Sequence, residues 1–305
     1  MRGHPLSRRS AGLALAAAVV AGLLAGCGGE VGGAAPSPKA ELRAASSGRH
    51  PLRVVATVFP LAQLTSYIGG TYVRVSDLVP PGVQPQGAAL TPAMKHDLAS
   101  AQLVVELGDG YQPEIEAVAA KKKHLAVLPA VTKQAKPYEI WLDPYLWSSA
   151  AGAVAGALSA VDPAGTRSFD NAKRDFQSLA FSVASDYQSS LSECPLREFV
   201  TADDAFGRMA SAFSLTEVPV STTGLNKTVA TIAQYSIPDV FAEQGVASQQ
   251  VSAVARAAHV GVKTLDPMEL APVPGTKYQS YFAVMEDNLS SLEGPLECDT
   301  SLNYS

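Results

Sequence analysis

Residues 163–192 read PAGTRSFDNAKRDFQSLAFSVASDYQSSLS, and this stretch organises the whole chain. After Pro163 it holds no further proline, and after Gly165 no further glycine. Phe169, Ala172, Phe176, Leu179, Val183, Tyr187 and Leu191 recur at steps of three and four, the apolar stripe of one amphipathic helix. About thirty residues at ~1.5 Å each make a rod of ~45 Å, long enough to cross from one lobe of a protein to another.

Both flanks of that rod carry alternating strands and helices. On the N-terminal side, Leu52–Phe59 is β-branched and bounded by Pro60, a buried strand, and Leu61–Ile68 is a short helix ended by Gly69-Gly70. Tyr72–Leu78 alternates as a second strand, Gln102–Leu107 is a third and Leu125–Leu128 a fourth. Between the second and third, Val79–Gln86 is a stiff, proline-rich loop, and Thr91-Pro92 opens a helix. Asp143-Pro144 and Asp162-Pro163 open two more by the same capping logic. On the C-terminal side, Glu198–Thr201, Thr216–Val220, Pro238–Glu243 and Val260–Leu265 read as strands. A terminal helix spans Tyr278–Glu293 and is stopped by Gly294-Pro295. The expected fold is therefore α/β, with two lobes of parallel sheet and flanking helices joined by one long rigid helix.

The first 26 residues form a targeting segment. Arg2, Arg8 and Arg9 precede the apolar run Ala11–Ala25, which ends in Leu24-Ala25-Gly26-Cys27. That ending resembles the lipobox of bacterial lipoproteins and makes Cys27 the lipidated first residue of the mature chain; the alternative is a plain secretory signal with a chance cysteine. Residues 27–51, rich in Gly, Ala, Pro and Ser, form a flexible tether. The expected organisation is a signal over 1–26, the tether over 27–51 and an N-terminal lobe over 52–161. A linking helix over 162–193, a C-terminal lobe over 194–298 and a tail over 299–305 complete it. A lipid and a tether place the protein on the extracytoplasmic face of the cell membrane, anchored without spanning it.

Composition narrows the class. Of 305 residues, 47% are hydrophobic and 17% charged, a globular balance. The formal charge is −5, and removing the three arginines of the signal makes it −8. That acidity argues against nucleic acid, which needs a basic stripe, and suits attraction of cations. With Cys27 spent on lipid, Cys194 and Cys298 remain. In an exported chain two such cysteines suggest a disulfide, which would staple the terminal segment to the start of the second lobe; the alternative is two free thiols.

Four strand-to-loop junctions carry the chemistry. They are Leu78–Gln86 before Thr91-Pro92, then Glu139-Ile140-Trp141-Leu142-Asp143-Pro144, then Val200–Gly207 (VTADDAFG), then Leu265-Asp266-Pro267. Together, in this order and with the long helix between the second and third, they resemble the metal-receptor lipoproteins of the ZnuA/TroA-like family. These are the substrate-binding proteins of zinc and manganese ABC transporters. The resemblance covers about residues 52–298. It implies a four-ligand metal site between the lobes at Gln86, Glu139, Asp203 and Asp266. The family's histidine is replaced at Gln86 and Glu139, Asp203 stands where the family has His or Glu, and Asp266 matches the family's final carboxylate. Each position also has a bland reading: a solvent-facing loop glutamine for Gln86, and capping acids for Asp203 and Asp266. Trp141 reads as packing and Asp143 as a helix cap.

Three carboxylates and an amide make an oxygen-only donor set, which suits manganese, magnesium or calcium better than zinc. None of His4, His50, His96, His124 and His259 falls at a ligand junction. The resemblance thus implies a monomeric receptor that binds a divalent cation, of the manganese or zinc class, and works with an ABC permease and its ATPase. It does not imply an enzyme: no G-x-S-x-G elbow, P-loop or H-E-x-x-H is present, and nothing supplies Asp203 and Glu139 with a nucleophile. The alternative is a degenerate paralogue that keeps the fold, has lost tight metal binding and serves as an adhesin-like or structural surface lipoprotein.

Overall fold

The computed structural model describes residues 50–273 and 280–298, all within a single compact unit of the chain. Cys27, the signal, most of the tether and the tail lie outside the described residues, as does Tyr278 at the expected start of the terminal helix.

In the first lobe, β1 (Leu52–Ala56), β2 (Val73–Asp77), β3 (Leu103–Glu106) and β4 (His124–Ala126) form one parallel sheet in the order β2-β1-β3-β4. In the second, β5 (Glu198–Thr201), β6 (Thr216–Pro219), β7 (Asp239–Glu243) and β8 (Gly261–Leu265) repeat the plan as β6-β5-β7-β8, again all parallel. The strands central to each sheet are the most apolar, because helices cover both their faces. Val54, Val104, Val200 and Val240 are all buried. In each sheet the strand order reverses between the two central strands, and that is where open parallel sheets bind ligands, beyond the carboxyl ends.

The fourth strand is shorter than the expected Leu125–Leu128. After Ala126 the chain turns into a short helix, Val127–Val131, because Pro129 has no N–H with which to extend the ladder. In the second lobe the strand at Thr216 likewise stops at Pro219.

The helices that matter for the site are α1 (Phe59–Gly69), α2 (Pro92–Ser100), α3 (Pro113–Ala119), α4 (Val127–Val131), α5 (Pro144–Val161) and the long α6 (Thr166–Leu191). Thr91 caps α2 by accepting from the Met94 N–H, and Asp143 caps α5 by accepting from Tyr145 and Leu146. The long helix is entered through a 3-10 turn at Pro163–Gly165 and runs for 26 residues. Its buried stripe is Phe169, Phe176, Ala180, Ala184, Tyr187 and Leu191. Phe169 packs edge-on against Tyr72 of the first lobe, whereas the Tyr187 hydroxyl donates to Met285 O in the terminal helix Tyr281–Glu293. The largest apolar cluster, with members from Val54 to Leu296, is shared by both lobes, and each lobe adds a smaller one, around Val55 and Val104 in the first and around Val200 and Val240 in the second. Burial of that kind resists hinge motion between the lobes. Cys194, just beyond the long helix, forms a disulfide with Cys298, closing a loop of 104 residues. Among the described residues no helix is long and apolar enough to cross a membrane.

Candidate metal centre

The carboxyl ends of the two sheets face one cleft, and its chemistry is set by the residues just past each central strand. Beyond β5, Asp203 folds back so that its Oδ1 accepts from the Ala205 N–H at 3.1 Å. At β7's last ladder position stands Glu243. These two acids flank the point where the second sheet reverses, and the Glu243 carboxyl is hydrogen-bonded to Asp203. Beside them Glu217, on edge strand β6, accepts from the Thr201 hydroxyl at 2.8 Å and the Phe206 N–H at 3.1 Å. In the first lobe the matching reversal point is bridged by Gln112, whose amide donates to Thr57 O at 3.1 Å and to Pro85 O at 3.0 Å. Gln112 thereby holds the proline loop against the sheet.

Glu139 lies in the segment that leads from α4 into α5, at the first turn of a 3-10 helix over Ile140–Leu142. It is buried, and its carboxyl is hydrogen-bonded to Glu269, which reaches it from the loop after β8. This is a carboxyl pair shared between the lobes. Backbone and side-chain bonds close the cleft around it. Trp141 Nε1 donates to Pro267 O at 2.7 Å, Gly82 N donates to Ala271 O at 3.1 Å, and Arg208, on the helix α7 (Gly207–Ala212), reaches Gln134 and Pro137.

Burial dominates the electrostatics. It pushes the Glu139 carboxyl up to about 9, with the charge of Glu269 and the bond to it adding to the effect. Glu139 therefore keeps its proton at neutral pH and donates it to Glu269. Burial also raises Glu243 to about 8, reinforced by the charge and hydrogen bond of Asp203. Glu217 rises to about 8 for the same first reason, although the bonds from Thr201 and Phe206 oppose it. Glu269 is raised by burial and by the charges of Asp203 and Asp204. Two buried polar atoms near these acids, Glu243 Oε1 and the Tyr111 hydroxyl, have no hydrogen-bond partner among the described residues, and the charges of Glu269 and Glu139 both act on Tyr111.

Of the four positions expected from the sequence, the structure brings Glu139 and Asp203 into this acidic cleft. Gln86 is exposed on the proline loop. Asp266 closes its own turn, its Oδ1 accepting from the Met268 N–H at 2.7 Å, and its main chain is held by both ends of the Asn288 amide. The charge acting on Asp266 is that of Asp287. Glu217, Glu243 and Glu269 were not singled out from the sequence. Glu243 ends a strand and Glu269 lies three residues past Asp266, so both had a positional signal; Glu217 had none. Among the described residues, no three His, Cys, Asp or Glu side chains stand where together they would hold a metal ion.

Comparison with known proteins agrees with this architecture. The profile of the ZnuA family, described as the periplasmic component A of the zinc-uptake complex, matches residues 54–294. A Treponema pallidum protein named for metal binding is 24% identical over 278 residues, covering 79% of this chain and 86% of its own. The manganese-binding lipoprotein MntA of Bacillus subtilis is 24% identical over 284 residues, covering 83% and 92%. Among solved structures, the laminin-binding protein Lmb of Streptococcus agalactiae, described as bifunctional with adhesin and metal-transporting activity, superposes with a TM-score of 0.74. It is 21% identical, and the match covers 80% of this chain and 99% of that one.

Proposed function

This chain belongs to the ZnuA family of periplasmic zinc-uptake components, and we propose that it is an extracytoplasmic receptor that captures a divalent cation between its lobes and hands it to an ABC permease driven by an ATPase. The observation that carries the reading is the Glu139–Glu269 pair: two acids, one from each lobe, that meet in the cleft, Glu139 buried and Glu269 half-buried. Burying acids together is unfavourable unless something positive sits between them, and here the proton of Glu139 fills that role. A divalent cation would replace that proton and satisfy both lobes at once.

The proposed ligands are the set that the resemblance implies, Gln86, Glu139, Asp203 and Asp266, to which the cleft adds Glu269; among the described residues no three acids stand together as a ready site, so a cation would have to draw these side chains together. All are oxygen donors, which favours manganese over zinc. The named relatives bind metal or manganese, and the reading of a receptor rather than an enzyme follows them. A lipid on Cys27 would keep the receptor beside its permease, as a monomer on a tether over residues 27–51.

A second reading has its own observation. The acids already bond one another in pairs and form no ready three-acid site, as they would in a surface lipoprotein that keeps the fold and has lost tight metal binding. Metal analysis of the purified folded domain, with thermal melting in manganese, zinc and calcium, separates the two. Binding to the native state alone raises the midpoint by about 2.7 kcal/mol of stabilisation at a hundredfold excess over Kd. A midpoint indifferent to all three ions leaves the second reading standing. Isothermal titration of the Glu139→Ala, Glu269→Ala, Gln86→Ala and Asp266→Ala variants then ranks the ligands.

A further inference from the structure

Arg208 is a buried cation, only 5% exposed, with no role in the family resemblance. It belongs to the second lobe, yet all its described hydrogen bonds go to the first. Nε donates to Pro137 O at 2.7 Å, Nη1 to Gln134 Oε1 at 2.9 Å and Nη2 to Gln134 O at 2.6 Å. These acceptors are neutral. The charges of Asp143 and Glu139 act on the guanidinium, but its directional bonds all go to neutral oxygens of one loop, so what the fork fixes is the position of that loop.

The neighbouring residue shows the same design. A Cβ on Gly207 would lie 2.6 Å from Pro137 Cγ, so the loop and helix α7 can approach this closely only because residue 207 has no side chain. Pro137 lies two residues before Glu139, and Trp141, which is bonded to Pro267, lies two residues after it. Pro267 in turn lies two residues before Glu269. Glu139 is thus held between two cross-lobe anchors, one at Arg208 and one at Trp141.

We propose that Arg208 is a positioning residue for the cargo site: its fork straps the Gln134–Glu139 loop of the first lobe to helix α7 of the second, and so holds Glu139 opposite Glu269 before any cation arrives. This rests on the reading of the cleft as the cargo site. A loop held in its bound position does not have to be ordered when cargo binds, so the strap raises affinity without touching the metal. It also limits the opening of the cleft. Lysine cannot substitute, because one ammonium on a flexible stem does not reproduce the guanidinium's rigid fork of three donating nitrogens.

The test compares Arg208→Met and Arg208→Lys with the parent protein. Amide hydrogen exchange is measured without metal, and manganese affinity by calorimetry. The amides of Ile140 and Leu142 donate to Tyr138 O and Glu139 O at the end of the strapped loop, and that of Asp143 to Ile140 O in the turn that follows, so all three report on how firmly the loop is held. Both variants should exchange there at least about tenfold faster while β1 and β3 keep their protection, and manganese affinity should fall by about tenfold. Unchanged exchange at these amides in a folded Arg208→Met protein overturns the strap, whatever the affinity. Faster exchange in a protein whose parent form binds no manganese upholds the strap and removes the receptor reading instead. If Arg208→Met does not fold, Gly207→Ala pushes the loop away by the Cβ alone and is read by the same amides.

Discussion

Trp141 donates its indole N–H to the carbonyl of Pro267 across 2.7 Å, joining residues 126 positions apart at the bottom of the cleft. Each lies two residues from one member of the Glu139–Glu269 pair. This bond fixes how far the two acids can separate, and so how well a shared proton or cation serves both.

Trp141→Phe removes that donor and leaves the Pro267 carbonyl buried without it. The loss is about 1–3 kcal/mol, with a smaller packing term added. Urea denaturation should show a lower midpoint at unchanged slope. Equal midpoints for variant and parent would mean that the bond is not formed in solution.

The buried acids make stability depend on pH in the direction opposite to ordinary acid unfolding. Glu139, Glu243 and Glu217 titrate near 9, 8 and 8 in the folded protein, against an ordinary value of 4.5. A raised folded pKa means that the folded state holds protons that the unfolded state has released. The stabilisation is therefore complete below about pH 4.5 and is lost as pH climbs to about 9. Metal-free protein should melt on the order of 10 °C lower at pH 9 than at pH 6. A midpoint that is flat or rising over that interval would contradict the protonated pairs.

Glu139→Gln replaces the protonated carboxyl by an amide that can still donate to Glu269 but cannot ionise. The metal-free variant should match the parent at pH 7 and outlast it at pH 9. Manganese affinity should fall at least about tenfold, because a neutral amide takes the place of a ligand carboxylate. Calorimetry in buffers of different ionisation enthalpy should also show fewer protons released on binding than in the parent. Equal proton release from both proteins would place the exchanged proton on another group.

The Cys194–Cys298 bridge closes 104 residues, nearly the whole second lobe, and ties the chain just beyond the long helix to its last described residue. Reduction, or the Cys194→Ala/Cys298→Ala double variant, should cost about 2–5 kcal/mol. The expected measurement is a lower melting midpoint in a reductant. Because the cleft lies at the other end of the second sheet, manganese affinity should stay within about twofold.

Most of the fold was legible because it is written in short-range patterns. The long helix showed as a three-four stripe, its neighbours as Thr91-Pro92 and Asp143-Pro144 caps, and the central strands as runs of valine. The misjudged ends are local as well. Pro129 cut the fourth strand short, and a 3-10 turn preceded the long helix, because a proline near a junction ends a ladder or starts a turn according to which N–H the neighbouring strand needs. The site was only half legible. Asp203 and Glu139 stand at junctions whose motifs mark them, whereas Glu217 is an ordinary alternating strand residue, and its place in the cleft comes from the pairing of β5 with β6. Arg208 had no signal at all, since its acceptors are main-chain and amide oxygens some 70 residues away.

By itself, then, the order of residues determined two parallel βα lobes, the rod between them and an oxygen-rich set of side chains near the strand ends. Periodicity, capping and strand termini depend on neighbours within a few positions, and those are visible in a string. The tertiary structure alone decided that Glu139 pairs with Glu269, that Asp203 pairs with Glu243, and that Gln86 faces solvent. Those outcomes depend on where the loops of two lobes come to rest, and the cross-lobe bonds of Trp141, Arg208 and Gly82 hold them there.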